Sequence, residues 1–245
     1  MKYFLTGKEP GAVKNIFSAE GCTGVCTPEE ADFIVAYGGD GSLLQACSLY
    51  FFKPVLALRD TLNSALCCRH DHADIIRKFL KGDLQGRELP FISGECDGVT
   101  VYGINDIFVH NCQRGNALRY AVRIDGKPYA SGIIGDAVGI ATVHGATAYY
   151  RSITRSIFRV GMGLAFSNST ELVNHLVLPC DSVVDVEIIR GPAVMQADNS
   201  TETVTIPQNH SVTLRHSQRK ATVFALDEFM CPRCRELRHP RPVEE

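Results

Sequence analysis

The stretch Tyr37-Gly38-Gly39-Asp40-Gly41-Ser42-Leu43-Leu44 places one carboxylate among three glycines. The apolar run 32–36 before it reads as a buried strand, and residues 43–50 after it can form a helix. Glycines at the carboxyl end of such a strand let the backbone turn tightly and approach a ligand. The amides of the turn and of the helix N-terminus then face an anion, with phosphate the obvious candidate. A purely structural turn accounts for the glycines equally well. A carboxylate beside phosphate is harder to account for unless Asp40 does chemistry or helps to hold a metal.

A second stretch runs from Gly135-Asp136 through His144-Gly145-Ala146-Thr147-Ala148-Tyr149-Tyr150. Its glycines and small residues let a backbone pass close to a flat ligand. Asp136 offers acceptors, Thr147 a hydroxyl and Tyr149 a ring with a polar end. A tight strand–loop–helix corner explains the same pattern. Upstream, Asn105-Asp106 can accept from and donate to vicinal ribose hydroxyls, although Asn and Asp are also common where a strand begins.

Ten cysteines are many for 245 residues, yet Cys47, Cys112 and Cys180 sit singly, as small hydrophobes do. Cys231-Pro232-Arg233-Cys234 has the spacing of a metal knuckle. Cys22-Thr23-Gly24-Val25-Cys26 supplies a possible second pair, giving a four-thiolate zinc site if the two ends of the chain meet. His239 is a substitute ligand, and unpaired thiols on a tail are the plainer reading.

The elements that must position these groups change in texture along the chain. A first strand at 1–6, a helix at 12–20, a strand at 54–58 and a helix at 72–80 alternate with the elements around Asp40. That alternation implies a mostly parallel sheet with helices on its faces. From about Leu89 strand-like runs follow one another: 97–102, 106–110, 119–124, a turn at Gly126-Lys127, then 183–189, 203–206, 212–214 and 222–226. Two domains are therefore expected, an α/β one over 1–88 and a β-rich one over 89–226, with the charged, proline-rich 227–245 returning to pack on the first.

Bulk properties exclude several classes. Charge is nearly balanced, with 25 basic and 27 acidic residues and a pI near 6.4, which gives no electrostatic case for nucleic acid. No apolar run approaches the ~20 residues that span a bilayer. The N-terminal apolar segment is too short for a signal peptide, so a cytoplasmic protein with no membrane partner is expected.

Together, and in this order, the Gly38-Gly39-Asp40-Gly41 turn, Asn105-Asp106 and the run Gly135-Asp136 to Thr147-Ala148-Tyr149 resemble the NAD kinase family. That family usually carries Asn-Glu at the second position and a GDG…TPTGSTAY run, aligned without a gap, at the third. Asp198-Asn199 looks like a weaker family position, usually Asp-Gly. The resemblance implies a Rossmann-like N-terminal domain, an all-β C-terminal domain and an active site between them. It implies phosphorylation of the adenosine ribose 2′-hydroxyl of NAD by ATP or polyphosphate, with Mg²⁺, in a homodimer or homotetramer.

In that reading Asp40 is the catalytic carboxylate, and Gly38, Gly39 and Gly41 present amides to phosphates. Asn105 and Asp106 hold ribose hydroxyls or the adenine end. Asp136 and Ala148 match positions that meet the nicotinamide carboxamide, with Thr147 and Tyr149 beside the adenosine part.

The chain departs from the family after the strand 54–58. The usual Asn-x-Gly-x-x-Gly-Phe appears as Arg59-Asp60-Thr61-Leu62-Asn63-Ser64-Ala65, with neither glycine. Arg59 can pair with a phosphate or form a salt bridge with Asp60 or Asp71. The family's Thr-Pro-Thr-Gly-Ser appears as Thr142-Val143-His144-Gly145-Ala146, and His144 either meets a ligand phosphate or fills the corner. The run 151–159 carries three arginines that can bind donor phosphates, join a subunit interface or form a solvated helical face. Two other functions remain open at this level: a lipid kinase of the diacylglycerol or sphingosine type, which shares the GGDG turn, and a catalytically silent NAD-binding sensor.

Overall fold

The structure is a computed structural model that describes residues 1–8, 11–60, 70–112 and 116–229. The chain separates into two compact units, Met1–Leu89 with Ala221–Glu245, and Pro90–Lys220. Among the described residues no helix is long and apolar enough to cross a membrane.

In the first unit β1 (Lys2–Gly7), α1 (Gly11–Ala19), β2 (Thr23–Gly24), β3 (Phe33–Gly38), α2 (Asp40–Tyr50), β4 (Val55–Arg59) and α3 (His72–Lys81) follow in turn. The strands lie parallel in the order β2-β1-β3-β4, and Val223 and Phe224 add a further parallel pairing on β4. Both β3 and β4 are buried at every residue, as a sheet covered on both faces requires. Tyr3, Phe17, Phe33, Leu56 and Ile76 form the core on one face. Asp71 caps α3 through the Asp74 amide, and Gly82, at φ 78°, closes it.

The order of β2, β1 and β3 puts the topological switch between β1 and β3. In an open parallel sheet a ligand belongs outside the carboxyl ends of the strands at that point. Gly7-Lys8 and Gly38-Gly39-Asp40 end those two strands.

The second unit is built from β5 (Arg87–Cys96), which enters it from the first, and then β6 (Val99–Gly103), β7 (Asp106–Asn111), β8 (Leu118–Ile124), β9 (Lys127–Gly135) and β10 (Ala137–Ala141). A short 3-10 turn (Gly145–Thr147) and α4 (Tyr149–Thr154) interrupt the strands. They resume with β11 (Met162–Ser167), β12 (His175–Leu178), β13 (Val183–Arg190), β14 (Ala193–Ala197), β15 (Val204–Ile206) and β16 (Ser211–Phe224). One antiparallel sheet has the order β12-β11-β10-β7-β14-β15. The first part of β16, with β13, β8 and β9, forms a second antiparallel array, and β5 pairs with β16 and β6. Ile107, Val138, Leu164 and Met195 from the first sheet share one core with Tyr120, Val186 and Leu214 from the second.

The expected fold class, a mostly parallel α/β domain followed by an all-β one, is what the structure shows, with the single short helix α4 inside the β part. Several elements differ in detail. α2 starts at Asp40 rather than 43, because Gly39 takes the N-cap conformation directly after β3. Asp97, expected to open a strand, lies at φ 52° with Gly98 at φ 81° in the two-residue turn between β5 and β6. The next such turn is Asp125-Gly126, so Lys127 opens β9. Leu226 starts α5 (Leu226–Phe229) instead of ending a strand.

Candidate active site

In the first unit the parallel strands deliver three short polar segments to one end of the sheet. Gly38 leaves β3 at φ 151°, and a Cβ there would lie 2.3 Å from the Ser42 hydroxyl, so the turn into α2 requires glycine. Gly7 is equally constrained, at φ 94° with a Cβ position 2.2 Å from the Tyr37 carbonyl. Gly39 is different. It has an ordinary extended conformation, and a Cβ built on it meets nothing within 4 Å. No side chain caps the α2 N-terminus. The first turn of α2, with Asp40, Gly41 and Ser42, is the helix end that suits an anion.

Asp40 is the first residue of α2, and its side chain is 42% exposed. Its Oδ1 accepts from the Arg59 guanidinium at 2.9 Å, and Arg59 itself is buried at the end of β4. The Phe229 ring lies 4.9 Å beneath that guanidinium, and His72 Nε2 meets the Arg59 carbonyl at 2.8 Å. Asp60, next in the chain, is also buried. It accepts from Lys8 Nζ at 2.7 Å and from the Tyr37 hydroxyl at 3.3 Å, and its own amide donates to the Gly38 carbonyl. Two carboxylates and two cations thus share the ends of β1, β3 and β4. Of the salt bridges expected for Arg59, the structure shows neither with Asp60 nor with Asp71; Asp40 takes that place among the described residues. A cavity of about 380 Å³ adjoins this end of β1, lined by Leu5, Gly7, Lys8, Lys14 and Cys26.

In the second unit the organising residue is Asp198, held at φ 50° after β14. Its carboxylate accepts the amides of Ile104 (2.8 Å), Asn105 (2.7 Å) and Asp106 (3.1 Å). Thr142, fully buried, adds a second brace. Its hydroxyl donates to the Ile104 carbonyl at 2.5 Å and accepts from the Gly145 amide, while its own amide donates to the Asn105 carbonyl. A Cβ on Gly145 would lie 2.1 Å from that same carbonyl, so the glycine serves close packing of two backbone segments.

Asp106 opens β7 beside Asp198, only 7% exposed. Burial pushes its carboxyl up to about 7, helped by the Asp198 charge and opposed by the Tyr149 amide that bonds to it. Burial raises Asp198 as well, but three amides stabilise its ionised form. Asp106 therefore holds a proton more readily than Asp198 does.

The remaining expected residues line β7. On the outer face of this sheet the small residues Ala137, Ala141, Gly163 and Ala165 pack with the buried rings of Tyr150 and Phe158, while Gly139 lets the strand pass close to Phe108. That is why this stretch is rich in glycine and alanine: the flat group it admits is the protein's own. With Tyr150 locked inward, Tyr149 turns outward, half-exposed, its ring 4.8 Å from Phe108 and 5.8 Å from His110. Burial lowers the His110 pKa and favours a neutral ring. Thr147 and Ala148 precede Tyr149 on the surface.

Asp136 lies at the other end of the strand, where Ala137 pairs with His110, and it accepts from Asn168 at 2.8 Å. Asn105 and Asp106 mark one end of β7, Tyr149 its middle and Asp136 its far end. The four residue steps from Asp106 to His110 span roughly 13 Å.

Sequence reasoning missed Lys8, Phe108, His110 and the bracing role of Thr142. None carries a motif, and only strand pairing brings them to the site. His144 is half-buried, and burial lowers its pKa. The arginine run is not one helical face, because α4 ends at Thr154 and Arg155 takes φ 57°. Cys22 packs in the core of the first unit, where burial raises its thiol pKa, and Cys26 is exposed. Cys231, Cys234, His239 and Thr61 to Ala65 lie outside the described residues. Among the described residues no group of three His, Cys, Asp or Glu side chains could hold a metal.

No family model matches the chain. An NAD kinase of Natronomonas pharaonis is 30% identical over 200 residues, which cover 76% of this chain and 73% of that protein. Among solved structures, an NAD kinase from Archaeoglobus fulgidus in complex with ATP superposes with a TM-score of 0.77 at 19% identity, covering 96% of this chain and 99% of the other. Yeast NADH kinase complexed with NADH gives a TM-score of 0.80 at 16% identity, covering 100% and 90%.

Proposed function

We propose that this chain, which belongs to the NAD kinase family, transfers the γ-phosphoryl group of ATP to the 2′-hydroxyl of the adenosine ribose of NAD, giving NADP and ADP. The observation that carries the proposal is Asp40: a carboxylate 42% exposed on the first residue of α2, where the helix N-terminus follows the glycine turn. A phosphotransferase of this kind needs in-line positioning and neutralised oxygens more than a protein nucleophile.

In the mechanism that follows, Asp40 accepts the ribose hydroxyl proton as that oxygen bonds to the γ-phosphorus. The bond from phosphorus to the β-bridging oxygen breaks, and the electron pair leaves with ADP. The amides of Gly38, Gly39 and Gly41 are assigned to the phosphates, with Gly38 also shaping the turn. A positioned base of this kind contributes ~10² to 10⁴ in rate. The chain offers no resident metal cage among its described residues, so Mg²⁺ is assigned to the nucleotide and enters with it as part of the substrate.

For the dinucleotide, Asn105 and Asp106 are assigned to the ribose and adenine end, Thr147 and Tyr149 to the adenosine part, and Asp136 with Ala148 to the nicotinamide carboxamide. Two features support this. The residues follow β7 over a length suited to an extended dinucleotide, and the Asp106 carboxyl, pushed up to about 7, can donate in its protonated form. Domain roles follow: 1–88, with 227–245, as the phosphate-binding domain and 89–226 as the NAD-binding domain. A cytoplasmic homo-oligomer completes the proposal. Edge strand β12 supports it, with Val177 half-exposed on it and Leu172, Val173 and Val160 exposed nearby. Polyphosphate as donor and a zinc site at Cys22, Cys26, Cys231 and Cys234 remain part of the proposal to be tested.

The test is chromatographic analysis of products after incubation with Mg²⁺, NAD or NADH, and ATP or polyphosphate in every pairing. NADP or NADPH from at least one pairing is the expected result. Bound NAD with no product from any pairing would favour the silent sensor and overturn the assignment.

A further inference from the structure

Arg59 is unusual among the charged residues of the first unit. Its side chain is 5% exposed, deeper than any other basic group in an ion pair among the described residues, and its Nε has no hydrogen-bond partner. Burying a guanidinium costs several kcal/mol unless its surroundings compensate. Two contacts with the guanidinium, the Phe229 ring and Asp40, do so here and fix where the charge points, while His72 holds the backbone beneath it. The Phe229 ring stacks beneath the guanidinium at 4.9 Å, His72 holds the Arg59 carbonyl at 2.8 Å, and one terminal nitrogen donates to Asp40 Oδ1 at 2.9 Å. Asp60, the adjacent carboxylate and the nearer competitor in sequence, is occupied by Lys8 and Tyr37. The two acids are thereby sorted between the two cations, with Asp40 going to Arg59.

We propose that Arg59 is a positioning residue for Asp40, a rigid buried arm that sets the direction of the carboxylate towards the reacting hydroxyl. The proposal rests on the assignment of Asp40 as the catalytic carboxylate. The Asp40 side chain is 42% exposed at the first position of a helix, and Arg59, 5% exposed, engages its Oδ1 from the core side. Arg suits the task because its planar group loses little freedom on forming each bond and stacks on an aromatic face.

A role in binding and a role in positioning separate in kinetics. Arg59→Gln is expected to lower kcat about ten- to a hundredfold, the usual cost of a misplaced catalytic group, with the dissociation constants for NAD and ATP changed less than about threefold. Arg59→Lys, which keeps the charge but not the fork or the stacking, is expected to fall between. In an Asp40→Asn background, Arg59→Gln is expected to add less than about a twofold further loss, since the group it positions is gone.

Three results overturn the inference: a loss in the double variant equal to the product of the single losses, a rise in the ATP or NAD dissociation constant at unchanged kcat, and full activity in Arg59→Gln. Near-wild-type activity in Asp40→Asn alone overturns instead the assignment of Asp40, so the two failures are distinguishable. Unaltered NAD binding by each variant, measured by calorimetry, shows that it is folded. If Arg59→Gln does not fold, Arg59→Lys in both backgrounds supplies the same cycle, and additivity there overturns the inference in the same way.

Discussion

Replacing Asp106 by Asn removes the one buried carboxyl whose titration is displaced to the physiological range. Moving that titration from 3.8 to about 7 corresponds to roughly 4 kcal/mol of preference for the protonated form in the fold. Asp106 is 7% exposed, so solvent screens little of this. Because the folded state holds the proton more tightly than the unfolded chain does, the stabilisation is complete below pH 3.8 and is lost as pH rises through about 7. Asn has the same shape and never ionises, and the backbone amide of residue 106 still donates to Asp198. Urea denaturation of the two proteins at pH 5, 6, 7 and 8 is the assay. By pH 5 wild type has already lost about 1.5 kcal/mol of this, so the variant is expected to lead by about 1–2 kcal/mol there. By pH 8 the variant is expected to exceed wild type by about 2–4 kcal/mol. A gap that stays constant across this range, or that grows towards acid, would refute the raised titration of Asp106 beside Asp198.

Other outcomes follow from the same geometry. Gly38→Ala forces a Cβ to within 2.3 Å of the Ser42 hydroxyl at φ 151°, so a loss of about 2 kcal/mol or more is expected in thermal unfolding. Gly39→Ala meets no protein atom within 4 Å. Its stability cost is expected below about 1 kcal/mol, while its activity falls because the new methyl occupies the space before the helix amides. Asp198→Ala strips three amides of their acceptor, and a loss of about 2–4 kcal/mol is expected by calorimetry, with Asp198→Asn intermediate.

The parts of the site that could be read from sequence are those built from contiguous residues. Gly38 to Gly41 announce a strand–turn–helix because each position has its own backbone demand. Asp40 stands out because a carboxylate beside amides that suit a phosphate points to chemistry or to a metal. The alternation of strand and helix over the first third of the chain fixes a parallel sheet, and the switch between β1 and β3 then locates the turn.

What could not be read depends on register and on partners far apart in sequence. Asp198 lies 92 residues from Asp106, and only antiparallel pairing of β14 with β7 sets it under the three amides it caps. Asp136 and Thr142 are close in sequence but sit at opposite ends of β10. The alanines and glycines around Gly139 suggested room for a ligand, because composition cannot say that Tyr150 and Phe158 fill it. Lys8 follows a glycine with no motif around it, and its bond to Asp60 arises from the order of the strands.

The most direct measurement is a comparison of Asp40→Asn with the unaltered protein in two readouts, kcat for NADP formation and the NAD dissociation constant by calorimetry. If Asp40 is the base, kcat falls by ~10² to 10⁴ while NAD binds within about threefold of its original affinity, as expected for an interaction made only in the transition state. Retention of more than about a tenth of kcat, set against that expected range, would contradict the central claim, whatever the substrate proves to be.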